Sequence, residues 1–326
     1  MRHYPWLDLY YQQTLHAFQQ QRGHHALLFK TEPGLGTTHL LEQIGHWLMC
    51  QQPQAHQPCG QCHSCHLFVA HHHPDVYTLA PLENKDIGVD QVREINNKIH
   101  QHAQQHGNKV VYIQGVERLT EAAANALLKT LEEPRPHTYF LLQADASSTI
   151  MPTIYSRCQV TIIKTPDIAM ALDWLQQQCM AELTEIETAL RISYGRPLLA
   201  KMVLTQGLLE NRRDFLRQFW LFYRKRSPLE LLPHFDKTLL FHQLDWLLAF
   251  LSDALKAKLH IQQGWLCQDL AAGVSQFSSQ YSAQQLLKAT KIMQKVRTDL
   301  TQINAVNQEL ILLDGLTRLI TEVFEG

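Results

Sequence analysis

The chain has 326 residues, 45% of them apolar and 18% charged, the make-up of a globular protein that buries a real core. That length exceeds the ~100–200 residues usual for one domain and predicts two or three. A formal net charge of −1 and a pI near 7.0 exclude a global field that would pull the chain onto nucleic acid or an anionic membrane, so such contacts have to be local or come through a partner.

The first residues, MRHYPWLDLYYQQ, lack the ~7–15-residue apolar core of a secretory signal. No run approaches the ~18 uninterrupted apolar residues of a membrane span. A cytoplasmic protein with no membrane partner is expected.

The first strand is predicted at Ala26–Lys30 and the first helix at Thr38–Cys50. Between them lies TEPGLGTT, Thr31 to Thr38, at the place of a phosphate-binding loop. The pattern G-x-x-x-x-G-K-[ST] uses Lys on the β/γ-phosphates and a hydroxyl on magnesium. Thr31 stands at the first Gly and Thr37 at the Lys; Gly34, Gly36 and Thr38 remain. Backbone N–H groups at a helix N-terminus still suit an anion, but without the cation ATP is not expected to bind productively.

Next comes CQQPQAHQPCGQCHSC, residues 50–65. Cys50, Cys59, Cys62 and Cys65 can close a tetrahedral Cys₄ shell around zinc, and Pro53, Pro58 and Gly60 predict a knuckle-like loop rather than a helix. A closed shell has no open position for substrate, so the metal is expected to be structural. The alternatives are four thiols without metal, an iron–sulfur cluster, whose familiar spacings differ, or His56, His63 or His66 replacing a thiol. The other cysteines, Cys158, Cys179 and Cys267, are far apart in sequence, so the pattern fits a reducing compartment and no disulfide framework. The run His71-His72-His73 is expected to be solvated surface.

Strands are predicted at Val76–Leu79, Val110–Ile113, Thr138–Gln143 and Val160–Ile163, with helices at Val89–His102 and Glu121–Glu133. Such alternation predicts a parallel sheet with crossover helices. Thr120 is expected to cap the 121–133 helix, Glu121 suits its first turn, and Pro134 stops it. In nucleotide-hydrolysing domains of this kind the strand matching Val110–Ile113 ends in acidic residues that hold magnesium and orient water. Gln114 and Gly115 occupy those positions. With the Lys also lost, hydrolysis is not expected.

Strand signals vanish after Pro166. Residues 167–205 hold two or three short helical patterns broken at Gly195-Arg196-Pro197, and from about 208 onward the chain is helix-periodic. Leu244, Leu247, Leu248, Leu251 and Leu255 share one helical face, and Val296, Leu300 and Ile303 another. The expected organisation is an α/β domain over 1–165 with a zinc insertion at 50–65, a small helical domain over 166–207, and an all-α domain over 208–326.

NALLKTLEEP, Asn125 to Pro134, followed by YSRC, Tyr155 to Cys158, resembles the ATPase core of bacterial DNA polymerase III clamp-loader subunits, members of the ring-forming AAA+ group. YPWL at 4–7, the entry Gln21 to Leu28, the altered loop, the cysteine module and HPDVYTLAP extend the likeness, which is dense over residues 4–165 and thinner beyond. The resemblance implies an AAA+-type domain, a helical lid and a helical collar that joins a hetero-pentameric ring. It also implies partners: delta and gamma or tau subunits, the sliding clamp, and primed DNA. Within that family one subunit type does not hydrolyse ATP and acts as a rigid ring member, as the degenerate positions here suggest. Arg157 matches the arginine that projects toward ATP held by a neighbour. Active relatives carry a nucleotide-sensing Arg in the lid; aligning SYGRPLLA by its glycine puts Leu198 there, with Arg196 two residues earlier.

Two other readings compete. One is an active ATPase that uses Glu32 or Glu117 in place of the lost acids. The other is a zinc-dependent nucleic-acid-binding module, disfavoured because the cysteine loop carries Gln and His rather than Lys and Arg.

Overall fold

The computed structural model describes residues 3–82, 85–302 and 307–325, and the chain forms two compact units, Met1–Pro166 and Asp167–Gly326. In the first, a 3₁₀ turn (Pro5–Leu7) leads into α1 (Asp8–Gln19), β1 (Ala26–Thr31), α2 (Thr37–Met49), α3 (His63–Val69) and β2 (Val76–Leu79). Then come α4 (Val89–His100), β3 (Lys109–Gln114), α5 (Glu121–Glu132), β4 (Thr138–Asp145), α6 (Pro152–Tyr155) and β5 (Gln159–Ile162). The five strands form one sheet in the order β2-β3-β4-β1-β5, every neighbouring pair parallel.

A parallel sheet needs helices on both faces, and period-two alternation divides the strand residues between them. Ala26 and Leu28, Val111 and Ile113, Phe140 and Leu142 join Val92, Ile95 and Ile99 of α4 and Ala123, Leu127 and Leu131 of α5 in one core. Residues of opposite parity, Leu27, Phe29, Val110, Tyr112 and Leu141, are buried as well, on the face where α2 packs against β3 and β4. Gly45 makes that packing possible: a Cβ there would fall 1.8 Å from the Tyr112 hydroxyl oxygen. Because the strands are all parallel, the segments following β1, β3 and β4 emerge at one edge of the sheet. This is where an open α/β sheet builds a binding site.

The predicted strands and helices of this unit are present, β2 with the expected bounds and the others with shifted ends. β3 begins at Lys109 because the charged side chain folds away from the strand: its ammonium is buried and donates to the carbonyls of Ile99 and Gln101, both at 2.5 Å. That helps to close α4 at His100, short of the expected His102. The buried Asp75 carboxylate then accepts the N–H groups of Gln104 and Gln105 at 2.8 and 2.9 Å. Thr120 caps α5 as expected, its Oγ1 accepting the Ala123 N–H at 3.2 Å. Helices α1, α3 and α6 were not expected. The start of α3 at His63 corrects the all-loop reading of residues 50–65.

The second unit contains α7 (Ile168–Gln178), α8 (Leu183–Ile192), α9 (Pro197–Thr205), α10 (Leu208–Lys225), α11 (Leu240–Lys258), α12 (Ala271–Ser279), α13 (Ala283–Gln302) and α14 (Gln308–Leu319). The break before α9 holds Gly195 at φ 76° and Pro197 as the first helical residue. Helices α7 to α9 pack on one another, and α11 packs on α10, α12 and α13. Leu244, Leu247 and Leu251 are buried while Leu248 and Leu255 are half-buried; Trp246, Phe250 and Ala254 are also buried, so α11 is covered well beyond the expected stripe. Val296 and Leu300 are buried; Ile303 lies outside the described residues. The second core is aromatic, with Phe277 packed against Phe219, Phe250 and Tyr223. Among the described residues no helix is long and apolar enough to cross a membrane.

Candidate functional site

The loop between β1 and α2 keeps a phosphate-loop backbone: Gly34 and Gly36 take φ of 90° and 81°, the left-handed region that glycine reaches without a Cβ clash. Its side chains are turned inward. Thr37, at the lysine position, is 2% exposed and donates its hydroxyl to Thr31 Oγ1 at 2.7 Å. Thr31 in turn donates to the Glu32 carbonyl at 3.1 Å. Leu35 at the loop's tip is buried, and its carbonyl accepts the Trp6 indole N–H at 2.8 Å. The two altered positions therefore satisfy each other, and the N-terminal segment holds the loop down.

The two positions expected to be acidic carry no charge. Gln114 ends β3, and Gly115 follows at φ 72°, its N–H donating to the Gln143 carbonyl at 3.0 Å. Thr38, the would-be magnesium ligand, donates to the Gln143 side-chain oxygen at 3.1 Å. Glu117 does reach this edge, where its carboxylate accepts the Asp145 N–H at 3.3 Å. It is thus tied to the end of β4. Glu32 is exposed on the loop.

The four cysteines converge. All their Sγ atoms lie within 4.8 Å of one another, with Cys59 and Cys65 4.0 Å apart, against about 3.8 Å for the edge of a zinc–thiolate tetrahedron with Zn–S near 2.3 Å. Among the described residues this is the one cluster able to hold a metal ion, and His56, His63 and His66 are not in it. Amide groups point at the sulfurs: Cys59 N–H at Cys50 Sγ (3.2 Å), Cys62 N–H at Cys59 Sγ (3.4 Å) and Cys65 N–H at Cys62 Sγ (3.4 Å). N–H donation from Gln61 and Cys62 lowers the Cys59 thiol to about 6, whereas burial pushes Cys50 and Cys65 up. The donor set fits a four-coordinate thiophilic metal. The module is fastened to α1 and α2 by Tyr11 Oη on the His56 carbonyl (2.7 Å), Trp47 Nε1 on the Ala55 carbonyl (2.9 Å) and Ser64 Oγ on the Met49 carbonyl (2.6 Å).

Arg157 follows α6, partly exposed. Its Nη1 donates to the Thr153 carbonyl at 2.7 Å, which fixes the direction of the guanidinium. In the second unit Arg196 stands at the N-cap position of α9 without a side-chain capping bond, its Nε donating to the Ser193 carbonyl at 2.8 Å, and Leu198 lies in that helix's first turn.

These features can be set beside known proteins. The family described as DNA polymerase III, delta subunit, matches residues 8–167, and DNA polymerase III, delta subunit, C terminal, matches residues 206–321. DNA polymerase III subunit delta′ of Haemophilus influenzae is 59% identical over 99% of this chain and 98% of its own length. The chain belongs to the DNA polymerase III delta-prime subunit family. The Escherichia coli delta-prime subunit is 37% identical over 98% of this chain and 96% of its own length. A DNA polymerase III gamma subunit-related protein of Thermotoga maritima shares the fold, with a TM-score of 0.51 at 19% identity over 95% of this chain and 99% of that one. The expected class therefore holds for this delta-prime family member: an AAA+-type α/β domain followed by helical lid and collar.

Sequence reading missed three features of the site. Glu132, the last residue of α5, takes Arg157 Nε at 2.7 Å on Oε1 and pairs with Nη2 as well; a surface carboxylate 25 residues away carries no pattern that announces this. Trp6 acts on the loop from 29 residues away. His73 is 6% exposed, which corrects the expectation of a solvated histidine run, although His71 and His72 are exposed. The His73 ring reaches Ser64 Oγ at 2.8 Å and accepts the Asp75 N–H at 3.2 Å. Its two ring nitrogens are what make burial tolerable.

Proposed function

We propose that this chain is the non-hydrolysing, rigid member of a hetero-pentameric clamp loader and supplies Arg157 in trans to ATP held by a neighbouring gamma or tau subunit. Its assembly partners are delta and gamma or tau, and the assembly places the sliding clamp on primed DNA in the bacterial cytoplasm. In this reading residues 1–165 are the ATPase-like domain, 166–207 the lid and 208–326 the collar that joins the ring. The cysteine module holds one structural zinc ion. The chain is not an enzyme by itself.

One observation carries the proposal. The phosphate loop has closed on itself through Thr31 and Thr37, while the arginine that can serve another subunit's pocket stands partly exposed at the end of α6. A hydrolytic site needs a cation on the phosphates and carboxylates for magnesium and water. Here the loop offers a buried threonine, and the strand edge offers Gln114 and Gly115. Glu117, the acid of the competing ATPase reading, is engaged with the Asp145 amide. A planar guanidinium that stays charged and grips phosphate with two donors suits the remaining role.

The test is reconstitution with gamma-type and delta-type subunits, comparing wild type with Arg157→Ala. Assembly should be normal, with turnover lost at the one ATP site adjoining this subunit; arginine fingers contribute about 10³–10⁵ in rate. Unchanged turnover there would remove Arg157 from the chemistry. Magnesium-dependent hydrolysis by the purified chain alone would overturn the non-hydrolysing assignment.

A further inference from the structure

We propose that Glu132 is a placeholder for phosphate: it occupies the Arg157 fork in the unassembled subunit and competes for it with the neighbour's triphosphate. The inference rests on the arginine-finger reading above.

The geometry separates the guanidinium into a pivot and a working edge. Nη1 is held by the Thr153 carbonyl at 2.7 Å and reaches Ser156 Oγ at 3.3 Å, both contacts within its own short segment. Nε and Nη2 face Glu132 Oε1 from the other side. That Nε/Nη2 edge is the pair of parallel donors with which arginine grips a carboxylate or a phosphate. The same edge cannot serve both anions at once. Engagement of a phosphate therefore requires Glu132 to let go, while Thr153 keeps the group aimed.

Exchange is feasible because the pair is not sealed. The Arg157 side chain is 30% exposed and that of Glu132 is 47% exposed, so water can take over the carboxylate as the arginine leaves it. The carboxylate also offsets the positive charge that would attract a polyanion, so the free subunit presents a neutralised site. A triphosphate carries more charge than one carboxylate and outcompetes it, at some loss of apparent affinity. An exposed pair of this kind reduces the apparent affinity for the competing ligand by about two- to fivefold.

Glu132→Gln keeps the side chain's size and removes the charge. Rings are reconstituted with wild type, Glu132→Gln, Arg157→Ala and the double variant, and ATP turnover is titrated; subtracting the matching Arg157→Ala ring isolates the Arg157-dependent part. Its half-saturating ATP concentration should fall by about two- to fivefold in Glu132→Gln, with the maximal rate within about twofold of wild type. The double variant should behave like Arg157→Ala. An unchanged half-saturation, or a lower maximal rate, overturns the placeholder role while leaving the finger intact. If Arg157→Ala itself leaves turnover unaltered, the finger reading fails and this inference falls with it.

Discussion

Thr37 donates its hydroxyl to Thr31 across 2.7 Å inside the β1–α2 loop, so the two residues that depart from the phosphate-loop pattern form one interaction. A lysine at 37 would have to leave a position that is 2% exposed and would strip Thr31 of its donor. Under the non-hydrolysing reading proposed above, a lysine restored at this position alone is not expected to confer ATPase activity. Thr37→Lys should cost about 1–3 kcal/mol of stability, through overpacking and the loss of a buried hydrogen bond. It should also leave the purified chain without magnesium-dependent hydrolysis. Gly115 explains why the second repair is harder: at φ 72°, with Pro81 Cγ 3.4 Å from a would-be Cβ, a carboxylate residue there is strained. ATPase assays on Thr37→Lys check the first statement, and turnover from that single substitution would show that the missing acids do not matter.

The cysteine cluster makes a quantitative prediction about metal. A denatured sample should release about one zinc per chain. Free zinc at about a thousandfold above its dissociation constant stabilises the folded form by about 4 kcal/mol, and a domain of this size shifts by about 2–4 °C per kcal/mol. Chelation should thus lower the melting temperature of the N-terminal unit by about 10 °C, and Cys65→Ser should reproduce that shift and abolish the response to chelator. A melting curve indifferent to chelator, or iron in place of zinc, would overturn the assignment.

What the sequence made legible follows from how locally each signal is encoded. The strands were readable because each is a short apolar run, and the α5 ends because Thr120 and Pro134 sit at its termini. The convergence of Cys50, Cys59, Cys62 and Cys65 was readable because C-x-x-C spacing brings thiols together in one loop. Helix α1 was not, since Leu15 is its one fully covered residue and such a helix carries little apolar periodicity. Helix α3 hid inside a stretch whose Pro and Gly residues suggested loop alone, yet Cys62 caps that helix, its sulfur accepting the Cys65 N–H. Lys109 was left off β3 because a charged residue at a strand's start looks solvated. Its partners, the carbonyls at the end of α4, exist only in the fold. Glu132 and Trp6 belong to the same class of long-range partner.

Gly45 and Tyr112 offer a test of packing between α2 and the sheet. The Tyr112 hydroxyl is buried without a hydrogen-bond partner among the described residues, and it lies where a Cβ on residue 45 would go. Gly45→Ala should destabilise the protein by about 1–3 kcal/mol through overpacking, despite alanine's better helix propensity. Tyr112→Phe removes a buried hydroxyl that has no partner and should be neutral or stabilising by up to about 1 kcal/mol. The double variant should regain most of what Gly45→Ala loses, giving a coupling that two distant sites would lack. Chemical denaturation of the four proteins measures it; simple additivity would mean that the hydroxyl is not what excludes a methyl group.

Three histidines of the first unit are expected to contribute to its loss of stability in acid. Burial lowers the proton affinity of His25, His46 and His73 below the usual value. The folded protein therefore protonates these rings less readily than the unfolded chain does as pH falls through about 6.5. Stability should be full above that value and decline below it, by at most about 1.4 kcal/mol per pH unit for each histidine until the lowered folded value is reached. His46 is the cleanest to test. Its ring stacks on Phe68 at 4.7 Å between centroids, and its Nε2 is buried without a hydrogen-bond partner among the described residues. His46→Phe keeps the stack and removes the titration, so melting temperatures followed from about pH 7.5 to about pH 5.5 should fall less steeply than in wild type. Equal slopes for the two proteins would mean that His46 is protonated as readily in the folded chain as in the unfolded one.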